Sequence, residues 1–436
     1  MANQKRDLLD DLIDIQSDWQ ALSNPFGDIA DSLAADPSQR KVFDPADYKE
    51  KPFANSNRCL CTASGRDDVC TRCLDVCPVN AIEIHKQSVI IGDDCRKCGL
   101  CAAACPTETI STRRHMPRQV YDKIARAASA YEHCYVTCTR ALKRLPKDNE
   151  IVLGCVGAIS RDLWFSLMAD YDNISVYLPV GICDRCKTTT GEEFYCDAIG
   201  TAEEWAQASL GLVADESEMT HDFTREYKRS QFMSSAVHSA ERLLTRTNPA
   251  LAGAKAVANK ISAHASRLDQ LQRTLEGAVG AKTSNNRQRM LTQNRKLVMG
   301  ALQHDEGLAK FIDLTAPVCD ASKCTMCGDC AKVCTTRALD LDVNGHITIQ
   351  SSYCAPGGAC VKVCEDGALA MEPMDVSELI VPDPAAEELA RKKAQAKVEA
   401  QKYIEQGKKQ LSRAADVLEG LGTSDSGAND SKTSKK

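Results

Sequence analysis

The sequence predicts a multidomain α+β protein. It should comprise two cysteine-rich modules of paired βαβ halves with pseudo-twofold symmetry, a central small α/β parallel-sheet domain, an α-helical hairpin and helical tails. Three observations predict this. A run of cysteines recurs in two pairs, at 58–113 and 318–374. Between 116 and 212, apolar strand-like runs alternate with helix-like ones, the signature of a parallel sheet. Beyond 222 the apolar spacing becomes heptad-like. A length of 436 residues exceeds what one core organises, so several domains are expected.

In chain order, 1–55 is a helical and irregular segment containing an acidic amphipathic helix at 7–22. Residues 56–115 form the first cysteine module, 116–215 the central α/β domain and 216–312 a basic helical hairpin. The second module spans 313–375, a charged helix 376–421 and a disordered polar tail 422–436. The N-terminus has no apolar signal core and no run of about 18 apolar residues occurs, so a cytoplasmic location without a membrane span is expected. The 23 cysteines must then be explained in a reducing compartment, where thiolate–metal bonding is the default. Eight histidines and 5% aromatics argue against a haem protein, and a net charge of -6 implies no nucleic-acid partner for the chain as a whole.

Four segments share a cysteine followed, four and five residues later, by a small or β-branched residue and then Ile or Leu. They begin at Cys77, Cys105, Cys334 and Cys364. Two carry the full Cys-x2-Cys-x2-Cys-x3-Cys run: Cys95, Cys98, Cys101, Cys105 and Cys324, Cys327, Cys330, Cys334. The first copy has Cys70, Cys73 and Cys77, with Cys59 and Cys61 upstream. The last has Cys354, Cys360 and Cys364, with Gly357 where a cysteine is expected.

These runs resemble the bacterial-type two-cluster ferredoxin family, present twice and covering roughly a quarter of the chain. The resemblance implies [4Fe-4S] clusters in which the fourth cysteine of each run ligates the other cluster of its module. Cluster 1 then takes Cys70, Cys73 and Cys105 with Cys61, or Cys59 in its place. Asp67 stands at the strict position of that ligand, and 62–69 reads as an insertion. Cluster 2 takes Cys95, Cys98, Cys101 and Cys77. Cluster 3 takes Cys324, Cys327, Cys330 and Cys364. Cluster 4 has only Cys334, Cys354 and Cys360. It could be a [3Fe-4S] cluster, a [4Fe-4S] cluster completed by Cys319, or an empty site. Structural zinc is the bland alternative for the complete runs, and their spacing disfavours it.

In the central domain, helix Gln119–Tyr131 should be followed by a strand at 133–138, a strand at 151–156, helix Leu163–Asp170, a strand at 174–182 and helix Thr201–Leu212. Cys138, Cys155, Cys183 and Cys186 then fall at the C-terminal ends of strands, one shared rim of a parallel sheet, where ligands bind. Four thiols there suit a further iron–sulfur cluster, zinc or a redox dithiol, with Arg185 available to lower a thiol pKa; simple packing is the alternative. Cys134 and Cys196 are spares. This layout resembles the iron–sulfur delta subunit of methyl-viologen-reducing hydrogenases, which implies an electron-relay role.

The heptad seam runs through Val257, Ile261, His264, Leu268, Leu271, Leu275 and Ala278. A loop at 280–286 and a second helix from Met290 complete the hairpin. Its surplus of Lys and Arg suits a solvated face or docking to a protein partner. Within the chain there is no dinucleotide-binding Gly-x-Gly-x-x-Gly and no phosphate-binding P-loop. The expected function is therefore one-electron transfer between redox partner proteins, in a low-oxygen cell. The alternatives are an iron–sulfur subunit of an oxidoreductase with chemistry at the central rim, or a redox sensor.

Overall fold

The computed structural model describes residues 42–224, 268, 270–277 and 280–381, which fall in one compact unit ending at Val381. The expected helix at 7–22, seam positions Val257, Ile261, His264 and Ala278, the expected C-terminal helix beyond Val381 and the polar tail lie outside the described residues.

The first cysteine module is framed by two antiparallel pairs. Strand β1 (Phe53–Ala54) pairs with the module's last strand, and β2 (Ile82–His85) pairs with β3 (Ser88–Ile91) in the register Ile82↔Ile91 and Ile84↔Val89. The period of two turns Ile82 and Val89 into the core. Between the strands lie short helices, α1 (Leu60–Ser64), α2 (Arg72–Asp75) and α3 (Leu100–Ala104), before β4 (Ile110–Ser111) closes the module.

The central domain begins with α4 (Pro117–Ala130), whose first-turn proline needs no donor. Strands β5 (Cys134–Cys138), β6 (Glu150–Leu153), β7 (Ile174–Tyr177) and β8 (Gly211–Val213) form one parallel sheet in the order β6-β5-β7-β8. All five residues of β5 are buried, as expected for an inner strand covered on both faces. Helix α5 (Arg161–Asp170) is capped by Ser160, whose hydroxyl accepts from the Leu163 amide. Helix α6 (Gly191–Ala206) packs on α5 through Phe165 and Trp205, ring centroids 5.8 Å apart. The expected helix Thr201–Leu212 is thus corrected. The helix starts ten residues earlier, and 211–213 is the sheet's fourth strand, because Gly211 must pass hard against Ser175 of β7.

Residues 270–277 are helical, and Leu268, Leu271 and Leu275 are buried. They lie beside α7 (Gln293–His304), where Gly300 admits the Leu268 side chain and Lys296 Nζ donates to Gln272 Oε1 at 2.7 Å. Helix α7 also packs on α5, with Ser160 Oγ donating to Asn294 Oδ1 at 2.8 Å and His304 Nδ1 lying 2.8 Å from Asp170. Two residues of this basic stretch are internal: Arg289 and Arg295 are buried and donate to backbone carbonyls.

The second module repeats the strand pairing of the first. Its first strand β9 (Thr315–Cys319) pairs with its last, β12 (Leu369–Pro373), and β10 (Leu339–Leu341) pairs with β11 (Ile347–Ile349). Helices α8 (Asp329–Val333) and α9 (Ala359–Lys362) follow the cysteine loops. Both are preceded by a left-handed glycine, Gly328 (φ 77°) and Gly358 (φ 68°), as α3 is by Gly99. Gly358 follows the missing cysteine, so the incomplete loop keeps the backbone turn of the complete ones.

Candidate metal centres

The cysteine loops of both modules present their thiols from runs that end in a tight turn. The third residue after Cys77, Cys105, Cys334 and Cys364 (Asn80, Glu108, Arg337 and Gly367) has positive φ in all four copies. That turn aims the next amide at sulfur: Ala81, Thr109 and Ala368 donate to Cys77, Cys105 and Cys364 Sγ at 3.3, 3.2 and 3.3 Å.

Cys59, Cys70, Cys73 and Cys105 line one hollow of about 350 Å³, walled by Leu60, Ile84, Val89 and Ile110. Cys61 is not part of that lining. It is 1% exposed, and its thiol points to the carbonyls of Cys70 (3.2 Å) and Asp67 (3.5 Å). The adjacent Cys61 thiol lowers the Cys59 pKa from its ordinary value. Cys77, Cys95, Cys98 and Cys101 line a second hollow of about 340 Å³.

A third hollow, of about 380 Å³, is lined by Cys138, Cys155, Cys183 and Cys186 together with Arg140, Glu192 and Tyr195. It lies at the C-terminal ends of the adjacent strands β6, β5 and β7. Cys183 Sγ and the Tyr195 hydroxyl are 3.5 Å apart. Burial pushes the Cys183 thiol up, and the group that offsets this is Tyr195, not the expected Arg185. Cys134 is fully buried against the Ile124 carbonyl, and Cys196 is exposed on α6; neither lines the hollow.

In the second module, Cys330 lies near Cys327, Cys364 and Cys360. Cys334, Cys354 and Cys360 form a set of three, each close enough to influence another's charge. Cys319 neighbours Cys324 and Cys364, so it stands with the set Cys324, Cys327, Cys330 and Cys364 rather than with the three. The space beside Gly357 is filled by Leu60 from the first module: a Cβ at 357 would overlap the Leu60 Cδ1 methyl.

Five sets of cysteines thus neighbour one another in succession. Cys155 of the central set neighbours Cys98, and Gly154 brings the two segments into backbone contact, since a Cβ there would lie 2.6 Å from the Lys97 carbonyl. Cys101 neighbours Cys73 of the next hollow. Leu60 and Gly357 join that hollow to the three-cysteine set, and three hydrogen bonds hold the modules there: Arg72 to the Pro356 carbonyl (2.8 Å), Lys362 to the Asp68 carbonyl (3.1 Å) and Arg66 to the Lys362 carbonyl (3.3 Å). Cys360 neighbours Cys330 of the last set.

The donor chemistry fits iron–sulfur clusters, with four soft thiols lining each of three hollows. Among the described residues, no three His, Cys, Asp or Glu converge closely enough to hold a single ion. Burial pushes Cys73 and Cys155 up to about 12, so these thiols are protonated until a metal displaces the proton. Sequence reasoning missed Leu60, Tyr195 and Arg295. None carries a motif: Leu60 reaches Gly357 from the other module and Arg295 reaches Cys354 from α7, while Tyr195 stands one helix beyond Cys183.

Fold and cysteine placement define an iron–sulfur protein. Residues 66–109 match the 4Fe-4S dicluster domain. The chain is 35% identical over 46 residues to a ferredoxin of Methanothermococcus thermolithotrophicus, covering 10% of this chain and 77% of that protein. It is 37% identical over 43 residues to an uncharacterized ferredoxin of Methanocaldococcus jannaschii, covering 9% of this chain and 69% of that one. No solved structure matches. The chain belongs to the 4Fe-4S ferredoxin family through this first module. Among the described residues, no helix is long and apolar enough to cross a membrane.

Proposed function

We propose that the protein is a multi-cluster electron carrier whose five cysteine sites form one route. The order is the central site (Cys138, Cys155, Cys183, Cys186), cluster 2 (Cys77, Cys95, Cys98, Cys101), cluster 1 (Cys59, Cys70, Cys73, Cys105), cluster 4 (Cys334, Cys354, Cys360) and cluster 3 (Cys324, Cys327, Cys330, Cys364). The observation that carries this reading is the abutting of consecutive sets, each pair meeting through a cysteine or a packed side chain. Cys59 replaces Cys61 as the first ligand, because only Cys59 lines the hollow. Cluster 4 keeps three thiolates, since Leu60 fills the place of a fourth and Cys319 stands with cluster 3. Clusters 1, 2 and 3 are [4Fe-4S], cluster 4 is [3Fe-4S], and the central site holds a further cluster of two to four irons.

Each cluster, when bound, exchanges one electron at a potential set by burial and by hydrogen bonds to sulfur. The chain supplies those bonds from Ala81, Thr109, Ala368 and Lys97 amides. Electrons enter and leave through redox partner proteins. Cys327, the exposed cysteine of cluster 3, marks one end and the partly exposed Cys183 and Cys186 the other.

The test is iron and acid-labile sulfide per chain after anaerobic purification. The route with all five sites filled contains about 17–19 iron. A value of about 8, lost in full when Cys70 and Cys98 are replaced by serine, would leave a two-cluster ferredoxin carrying inert domains and would end the proposal.

A further inference from the structure

Arg295 comes from α7, outside both cysteine modules, yet its guanidinium ends at the three-cysteine site. It is 4% exposed, and Nη2 donates to the Cys354 carbonyl at 2.7 Å. Nη1 is buried with no hydrogen-bond partner. No carboxylate of the described residues forms an ion pair with it; Asp162 and Arg161 act on it from α5 with opposite signs. An arginine stays protonated at any working pH, and a buried cation persists only where something anionic compensates it.

A cluster held by three thiolates carries net negative charge, and reduction adds one more unit. A fixed cation against one ligand therefore favours the reduced form over the oxidised one. We propose that Arg295 is the charge-compensating residue of the three-thiolate site, and that it makes the cluster held there the most readily reduced station on the route. This rests on the reading of Cys334, Cys354 and Cys360 as a cluster site. The step is a single electron arriving from cluster 1 or cluster 3, with no bond made or broken. The physical consequence is a resting place for the electron where the two modules meet.

The test uses the full chain, purified anaerobically, as wild type, Arg295→Met, Arg295→Lys and Cys360→Ser. Each is analysed for iron and titrated with dithionite under EPR. Cys360→Ser identifies the signal that belongs to this site. If Cys360→Ser loses neither iron nor a signal, no cluster resides there, and both the reading and the proposal fail. With a cluster present, Arg295→Met should shift the electron's partition away from this site at least tenfold, about 59 mV for one electron. Other midpoints should stay in place, and Arg295→Lys should stay near wild type. Unchanged midpoints at unchanged iron content would overturn the role of Arg295 while leaving the cluster site standing. If Arg295→Met cannot hold the cluster, Arg295→Lys decides. Retention near the wild-type midpoint supports charge compensation, and loss in both variants overturns it in favour of a packing role.

Discussion

Cys59 and Cys61 are two residues apart and chemically identical, yet only one lines the cysteine-ringed hollow. The difference is local geometry. Cys59 precedes α1 in extended conformation, whereas Cys61 sits inside the helix, with its thiol turned to backbone carbonyls. Cys59→Ser should remove cluster 1, while Cys61→Ser should retain it, as read by iron content and EPR. At Gly357 the same reasoning applies to a gap. Gly357→Cys alone should overpack the Leu60 contact and cost about 1–3 kcal/mol in thermal unfolding without adding iron. Combined with Leu60→Ala, it should gain about one iron and lose the three-iron signal. An unchanged three-iron signal in the double variant would mean that the site lacks more than a thiol.

At the scale of elements, the glycines between segments determine how close neighbouring sites come. Gly154 follows β6 and runs against the loop of Cys98, and Gly99 likewise faces Ala158, where a Cβ would sit 2.7 Å from the alanine Cβ. Gly154→Val should push the central sheet off the first module. Stability should fall by about 1–3 kcal/mol, and electron exchange between the central site and cluster 2 should slow. Stopped-flow reduction monitored in the visible range measures this. A variant that is destabilised but exchanges electrons at the wild-type rate would show that the central site is reached by another path. Helix α7 is the other decisive element. It spans from the three-cysteine site to the end of α5 and so braces the second module against the central domain.

For the whole molecule, pH acts with opposite sign on the empty and loaded protein. Burial raises the free thiols, with Cys354 at about 11 and Cys360 and Cys330 at about 12, above the unfolded value of about 8.5. A folded pKa above the unfolded one means stability that is complete below about pH 8.5 and lost as pH rises toward 11–12. The cluster-free chain should therefore melt at lower temperature as pH is raised through that window. Cluster binding instead releases thiol protons, so acid should strip clusters from the loaded protein and lower its melting temperature. Parallel melting curves of both forms between pH 6 and about 10.5 check the signs.

Much of this was legible in the sequence. The cysteine runs mark metal sites because a cluster needs thiols at short intervals, and the alternation in 116–212 marks a parallel sheet because strands and covering helices have different periods. Even the rim of Cys138, Cys155, Cys183 and Cys186 followed from strand ends alone. The fourth strand at 211–213 did not, since three residues with an initial glycine carry no periodic signal and form a strand only by pairing with β7. The choice of Cys59 over Cys61, the place of Cys319 beside Cys324, Leu60 against Gly357 and Arg295 against Cys354 were decided by the tertiary structure. Spacing encodes what neighbouring residues can do together. The first two turn on backbone conformation within a few residues, which cysteine spacing does not encode; the last two join segments from the opposite module or from outside both, and no local pattern records such a meeting.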